Sequence, residues 1–192
     1  MSIRSLAFVL IGILGTAVAR GAEGQTYAID PTHSQPLFEI SHMGYSLQRG
    51  NFAGANGTIT LDRAAKQGSI DVTIDARTVR AIDSRLETQL RAEDFFNVAR
   101  YPTMSFKSTE LAFEGDRLVG ADGTLTMLGI TKPVKLKVDN FICGPHPYTR
   151  NPICGAEVTT TIKRSAWGMT YGIPKAIADD VKITIPVEAY RQ

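Results

Sequence analysis

Histidine, cysteine and tryptophan are nearly missing from this chain of 192 residues, which holds three, two and one of them. Each therefore has to be placed individually. His33 and His42 are separated by an odd number of residues, which sends them to opposite faces of a regular strand unless Pro36 breaks the register. Neither has an Asp or Glu at a spacing that forms a recognisable catalytic pair, and Ser34 cannot share a strand face with its neighbour His33. Three readings stand for the pair: structural hydrogen bonding, polar contact at the mouth of a ligand cavity, and catalysis or metal binding, for which the signal is weakest. No catalytic residue, metal site or cofactor is assigned. Cys143, His146 and Cys154 could be three metal ligands, but a fourth is not evident and the spacing differs from a zinc knuckle. In an oxidising compartment a Cys143–Cys154 disulfide is the simpler expectation, a free thiol the other.

Excess charge is also missing once the N-terminus is set apart. Arg4 is followed by an almost wholly apolar run from Leu6 to Ala19, with small residues at Ala17, Ala19 and Ala22. The run is shorter than the roughly 18 to 20 residues that span a bilayer, so residues 1–22 read as a secretory signal and not as an anchor. Cleavage after Ala22 would remove Arg4 and Arg20 and leave Lys and Arg equal in number to the 19 acidic residues. No basic cluster remains to indicate nucleic acid or an anionic membrane surface. The expectation is an exported, periplasmic protein without a membrane span after signal cleavage. Residues 23–192 suit one domain, with no linker, low-complexity tract or convincing repeat.

What the chain does have is alternation. Ile70, Val72 and Ile74; Val134, Leu136 and Val138; Val158, Thr160 and Ile162; and Val181, Ile183, Ile185 and Val187 each place one side chain type at every second position. This is the pattern of strands with one dry and one wet face, and short strands at regular spacing predict an all-β sandwich or barrel. Strands are expected at 26–29, 35–42, 69–75, 103–113, 117–128, 134–141 and 156–163, with a bent, glycine-punctuated strand region ending at 58–61. Between residues 81 and 96 the period changes: Ile82, Leu86 and Leu90 recur every four positions, and Ser84 with Glu87 resembles a capping box. One helix is predicted there. Its Arg85, Arg91 and Glu87 suit a solvated face with ion pairs, or an arginine aimed at a ligand head group. The segment from Cys143 to Cys154, with three prolines, is expected to be a loop.

Several motifs go further than periodicity. Tyr27-Ala-Ile-Asp-Pro-Thr-His-Ser34, then Phe38, His42 and Gly50-Asn-Phe52, resemble the opening of the YceI-like family of exported polyisoprenoid-binding proteins. The likeness continues through Arg85 to Leu90 with Asp94-Phe-Phe96, Tyr101-Pro102 with Phe106-Lys-Ser108, Gly123 to Lys132, and Thr161-Ile-Lys-Arg-Ser165 before Trp167-Gly168. It spans nearly all of Tyr27 to Tyr190. The resemblance implies a lipocalin-like antiparallel β-barrel of about eight strands with one helix packed against it, and an apolar channel for an isoprenoid lipid such as a polyprenyl phosphate or a quinone tail. It implies binding, not turnover. Phe38, Phe52, Phe95, Phe106, Leu125 and Trp167 are then candidates for contact with the lipid, and His33, His42 and Arg85 for its head group. The chain departs from the family at Arg85-Leu-Glu-Thr-Gln-Leu90, which lacks an Asp and a His, and at Trp167, a larger ring that would shorten the channel if it entered it. Two other classes are kept beside the carrier: an enzyme acting on an isoprenoid lipid with His33 or His42 as base, and an interaction module with a packed barrel. Apolar edges at the barrel mouth would suit a homodimer, although no strand pattern selects one.

Overall fold

The alternating stripes become the inner face of a closed sheet. The computed structural model describes residues 24–192; the signal expected at residues 1–22 lies outside the described residues. The strands are β1 (Gln25–Ile29), β2 (Leu37–His42), β3 (Ser46–Asn51), β4 (Ala55–Asp62), β5 (Gln67–Asp75), β6 (Arg80–Ala81), β7 (Thr103–Glu114), β8 (Arg117–Met127), β9 (Ile130–Pro145), β10 (Pro152–Lys163) and β11 (Ile177–Arg191). The helix α1 (Ser84–Arg91) lies between β6 and β7. The ladder β1-β4-β5-β7-β8-β9-β10-β11 returns to β1, giving an eight-stranded antiparallel barrel, and β2, β3 and β6 branch from β11. Closure leaves the main ladder without a free edge. Among the described residues no helix is long and apolar enough to cross a membrane.

β11 changes partner along its length, and the sequence shows why. Its C-terminal part pairs with β1, Ile29 opposite Ala189, and its N-terminal part with β2, from Leu37 opposite Thr184 to His42 opposite Ile177. Between them Asp30-Pro31 interrupts the strand, because proline has no N–H to give the ladder. Side chains replace the missing ladder. The buried Ser34 hydroxyl accepts from the Glu188 N–H at 3.0 Å and lies 3.3 Å from the Glu188 carbonyl, to which it donates. Asp30 accepts from the Thr32 N–H at 2.9 Å and from His33 Nδ1 at 2.7 Å. Asp30 and His33 are thus paired after all, three residues apart across a turn where strand spacing suggested no partner.

The helix is shorter than its sequence period suggests, Ser84–Arg91 within the expected 81–96. Its cap also shifts by one residue. Asp83, not Ser84, caps the first turn through the Arg85 N–H, and Glu87 accepts from the Ala81 N–H. A carboxylate at the N-cap meets the unpaired N–H groups of the first helical turn, which accounts for the Asp83 contact, while Glu87 reaches back to strand β6. Arg91 ties the other end down by donating to the Val79 carbonyl at 2.6 Å and the Arg77 carbonyl at 3.2 Å. The bent strand region resolves into two strands, β3 and β4. The cysteine-bracketed segment is mostly ladder: β9 and β10 stay paired out to Pro145 and Pro152, and the turn is confined to residues 146–151. Cys143 and Cys154 face each other across it and form the disulfide.

Two apolar clusters fill the two ends. Tyr27, Leu61, Leu118, Val138, Cys154 and Ala189 belong to the end that carries the termini and the disulfide hairpin. Phe52, Leu90, Phe95, Met104, Trp167 and Met169 belong to the end covered by α1 and residues 164–177.

Candidate functional site

A cavity of about 630 Å³ runs between these clusters, within the size range of small-molecule sites. Every residue of the four alternating stripes lines it. The stripes face inward because successive strand side chains point to opposite faces, so one apolar series per strand makes a continuous wall. At the termini end the wall is closed by buried Tyr27, Leu61, Leu118 and Cys154. At the helix end the wall residues Met43, Arg49, Gln89 and Tyr171 reach solvent, and this is the mouth.

The expected lipid-contact residues divide. Phe38, Phe52, Phe95, Phe106 and Leu125 are in the wall. Phe38 and Phe52 meet with ring centroids 5.9 Å apart, and Phe96 stands edge-on to both at 6.2 and 5.3 Å. Gly50 makes room for the Phe38 ring, which occupies the place a Cβ at residue 50 would need. Trp167 is not a wall residue. It is buried, and its Nε1–H donates to the Leu125 carbonyl at 3.1 Å, pinning the turn after β10 to β8 while the Leu125 side chain faces the cavity. The larger ring therefore sits outside the lumen.

The three head-group candidates are not brought together. His42 lines the cavity near its mouth. His33 lies outside the barrel, in a separate shallow depression with Thr32, Gln35 and Asn51. Its pKa is raised above the ordinary 6.5, first by the hydrogen bond to Asp30 and then by the charges of Asp30 and Glu188. Arg85 projects into solvent and pairs with Asp83 at 3.1 Å.

One functional group escaped the sequence reading. Arg164 is 1% exposed and is part of the cavity wall. Its guanidinium donates to four backbone carbonyls: Ala178 at 2.8 Å, Met169 at 3.0 Å, Tyr171 at 2.8 Å and Ile177 at 3.2 Å. Burial lowers its pKa from the ordinary arginine value, partly opposed by the charge of Asp179. The fork of N–H donors suits this task because irregular buried backbone must find partners somewhere. The signal was present: Val158, Thr160, Ile162 and Arg164 continue one every-second-residue series into the wall. Gln48, Arg49 and Gln89 complete the polar part of the mouth, and no periodicity singles them out.

An apolar barrel cavity with polar groups near one end can hold a long hydrocarbon and orient its head. The family model described as YceI-like domain matches residues 27–189. The chain belongs to the YceI-like family. This YceI-like chain is 34% identical over 193 residues to Protein YceI of Salmonella arizonae, with 97% of each chain covered. Its fold is similar to that of Burkholderia cenocepacia BcnA, at a TM-score of 0.72 and 24% identity over 83% of this chain and 98% of that one. It is also similar to a polyisoprenoid binding domain from Saccharophagus degradans implicated in plant cell wall breakdown, at a TM-score of 0.65 and 18% identity over 88% and 99%. At such identities the likeness to these two structures speaks for the fold. The YceI-like barrel is thus the frame, and its cavity is the candidate site.

Proposed function

We propose that this YceI-like protein is an exported binding protein that sequesters or carries an isoprenoid lipid, a polyprenyl phosphate or a quinone, with the tail in the barrel cavity. The observation that carries the reading is the 630 Å³ cavity with its inward apolar stripes. Each methylene removed from water is worth about 0.8 kcal/mol, so a few isoprene units supply the affinity without a charged contact. The tail enters through the helix end and the head group stays beside His42, Gln48, Arg49 and Gln89, the polar residues near the mouth. The ligand named for the Saccharophagus degradans domain is of the same chemical class and supports this choice. Family membership favours binding over catalysis.

Native mass spectrometry of the protein isolated from its own cells tests this directly. The expected spectrum carries one isoprenoid lipid per chain, released on denaturation, on a polypeptide that starts after Ala22 and comes from the periplasmic fraction. A bare polypeptide that takes up neither added decaprenyl phosphate nor added ubiquinone contradicts the binding reading. A chain that keeps its first 22 residues contradicts signal cleavage.

A further inference from the structure

The turn between β2 and β3 exposes three large apolar side chains in a short stretch: Met43 is 56%, Tyr45 92% and Leu47 52% exposed. Isolated apolar residues on a surface need no explanation, but these share one hairpin tip beside an opening. Met43 also belongs to the cavity wall, so the exposed tip and the apolar interior are continuous. The tip is held in place. The Met43 N–H donates to the Ala176 carbonyl at 2.9 Å, and the Tyr45 N–H to the His42 carbonyl at 3.1 Å. Ala176 lies on the segment that carries Tyr171, another exposed residue of the mouth.

The two segments that meet at the tip carry Arg49 and Lys175 and no acidic side chain, while Asp83 and Glu87 at this end of the barrel belong to α1 and Glu39 pairs with Arg49 lower on the hairpin. No Asp or Glu occurs between Glu39 and Asp62, nor between Arg164 and Ala178, the two segments that meet here. A lipid surface with phosphate head groups would meet no acidic side chain from either segment. A second copy of the chain fits less well, because a stable protein interface needs on the order of 800 Å² from each partner and this feature is a narrow, convex tip.

We propose that the β2–β3 tip is a membrane-docking element: Met43, Tyr45 and Leu47 enter the interfacial layer of a phospholipid bilayer and set the cavity mouth against it. The proposal rests on the lipid-binding reading, since a ligand dissolved in a hydrocarbon phase reaches the cavity without crossing water if the mouth touches that phase. Tyrosine suits the head-group level, where its ring is apolar and its hydroxyl wet. Docking of this kind is shallow and reversible and depends on buried apolar area, not on a basic cluster.

Flotation with vesicles of phosphatidylethanolamine and phosphatidylglycerol tests it, using residues 24–192, which contain every strand of the closed barrel. The barrel is expected to float with the vesicles, and the double variant Tyr45→Ser/Leu47→Ser to lose binding by about tenfold or more. Ile142→Ser, at an exposed apolar position at the opposite end, is expected to float as the parent does. Absence of flotation, or equal flotation of parent and tip variant, overturns the proposal. Uptake of ubiquinone from detergent micelles, measured on the same samples, reports on the cavity alone. Uptake without flotation removes the docking tip and leaves the binding reading in place; flotation lost in the tip variant, without uptake by the parent, does the reverse.

Discussion

At the termini end of the barrel, Tyr27, Leu61, Leu118 and Cys154 pack under a disulfide-linked hairpin whose backbone is ladder almost to its turn, whereas the helix end is roofed by α1, residues 164–177 and a hairpin tip. The first is sealed by regular pairing and one covalent link. The second is built from irregular backbone, and its carbonyls are satisfied by side chains: Arg164 serves Met169, Tyr171, Ile177 and Ala178, and Arg91 serves Arg77 and Val79. Buried backbone groups must be paired, so an end left open for a ligand cannot simply be unpaired. Polar anchors let the roof stay folded without filling the lumen. On the proposed function, the regularly paired end is the closed one and the side-chain-anchored end is the entrance.

The largest effect should come from removing the roof's main anchor. Arg164→Met leaves one buried and three part-buried carbonyls without their donor and should cost on the order of 3 kcal/mol in urea unfolding, with ligand uptake lost as the mouth disorders. If stability and uptake are unchanged, the roof does not depend on this anchor. Next, Val138 and Val158 face each other on β9 and β10 in the wall, so Val138→Phe/Val158→Phe should fill the lumen at one level. Loss of about four buried methylenes of ligand corresponds to roughly a hundredfold weaker binding by titration, while the fold is kept. Unaltered affinity would place the ligand elsewhere.

Opening the sealed end should be milder and should act on stability alone. Cys143→Ala/Cys154→Ala should cost about 2 to 3 kcal/mol, because the closed loop is short, and leave uptake at the other end within about twofold of the parent. A large loss of uptake would show that the ends are not independent. The smallest effect is expected at the β1–β2 joint, between the two ends. His33 has a pKa raised above 6.5, so its contribution is complete below that value and fades as pH rises through the raised one; Asp30 has a pKa lowered below 3.8, so its contribution holds above that value and fades as pH falls through the lowered one. The joint is therefore strongest between pH 3.8 and 6.5. The difference in melting temperature between the parent and His33→Ala should peak in that window and shrink as pH rises through the raised His33 pKa. A difference that stays flat or grows with pH contradicts the pairing.

The parts of this fold that were legible in the sequence are those governed by local period. Strand alternation states which side chains share a face, and the stripes from Ile70 to Val187 became cavity wall because a closed sheet has only an inside and an outside. The helix was visible by its spacing, but its start was not, since Asp83 rather than Ser84 lies where the backbone leaves the extended region. The site was legible in its apolar half and obscure in its polar half. Arg85 belongs to the right segment and points away, because one residue's direction on a short helix depends on how the helix docks. His33 has the right chemistry and sits outside the wall, because Asp30-Pro31 turns the chain before a strand register can be counted. Arg164 could have been reached by extending the series Val158, Thr160, Ile162 by one more step, because it continues the same inward face. Trp167 has the size of a lumen residue, yet its indole N–H needed the Leu125 carbonyl, and that contact is set by tertiary structure alone.

Trp167 also offers the most direct test of the central claim, that the barrel interior receives one isoprenoid chain. It is the only tryptophan in the chain, buried in the apolar cluster at the helix end and hydrogen-bonded to the carbonyl of the wall residue Leu125. Titration of the protein with ubiquinone should quench its fluorescence saturably at one ligand per barrel, and Val138→Phe/Val158→Phe should move that saturable phase to roughly hundredfold higher ubiquinone. Quenching that rises linearly without saturation, or that is equal in the filled variant, would contradict the account.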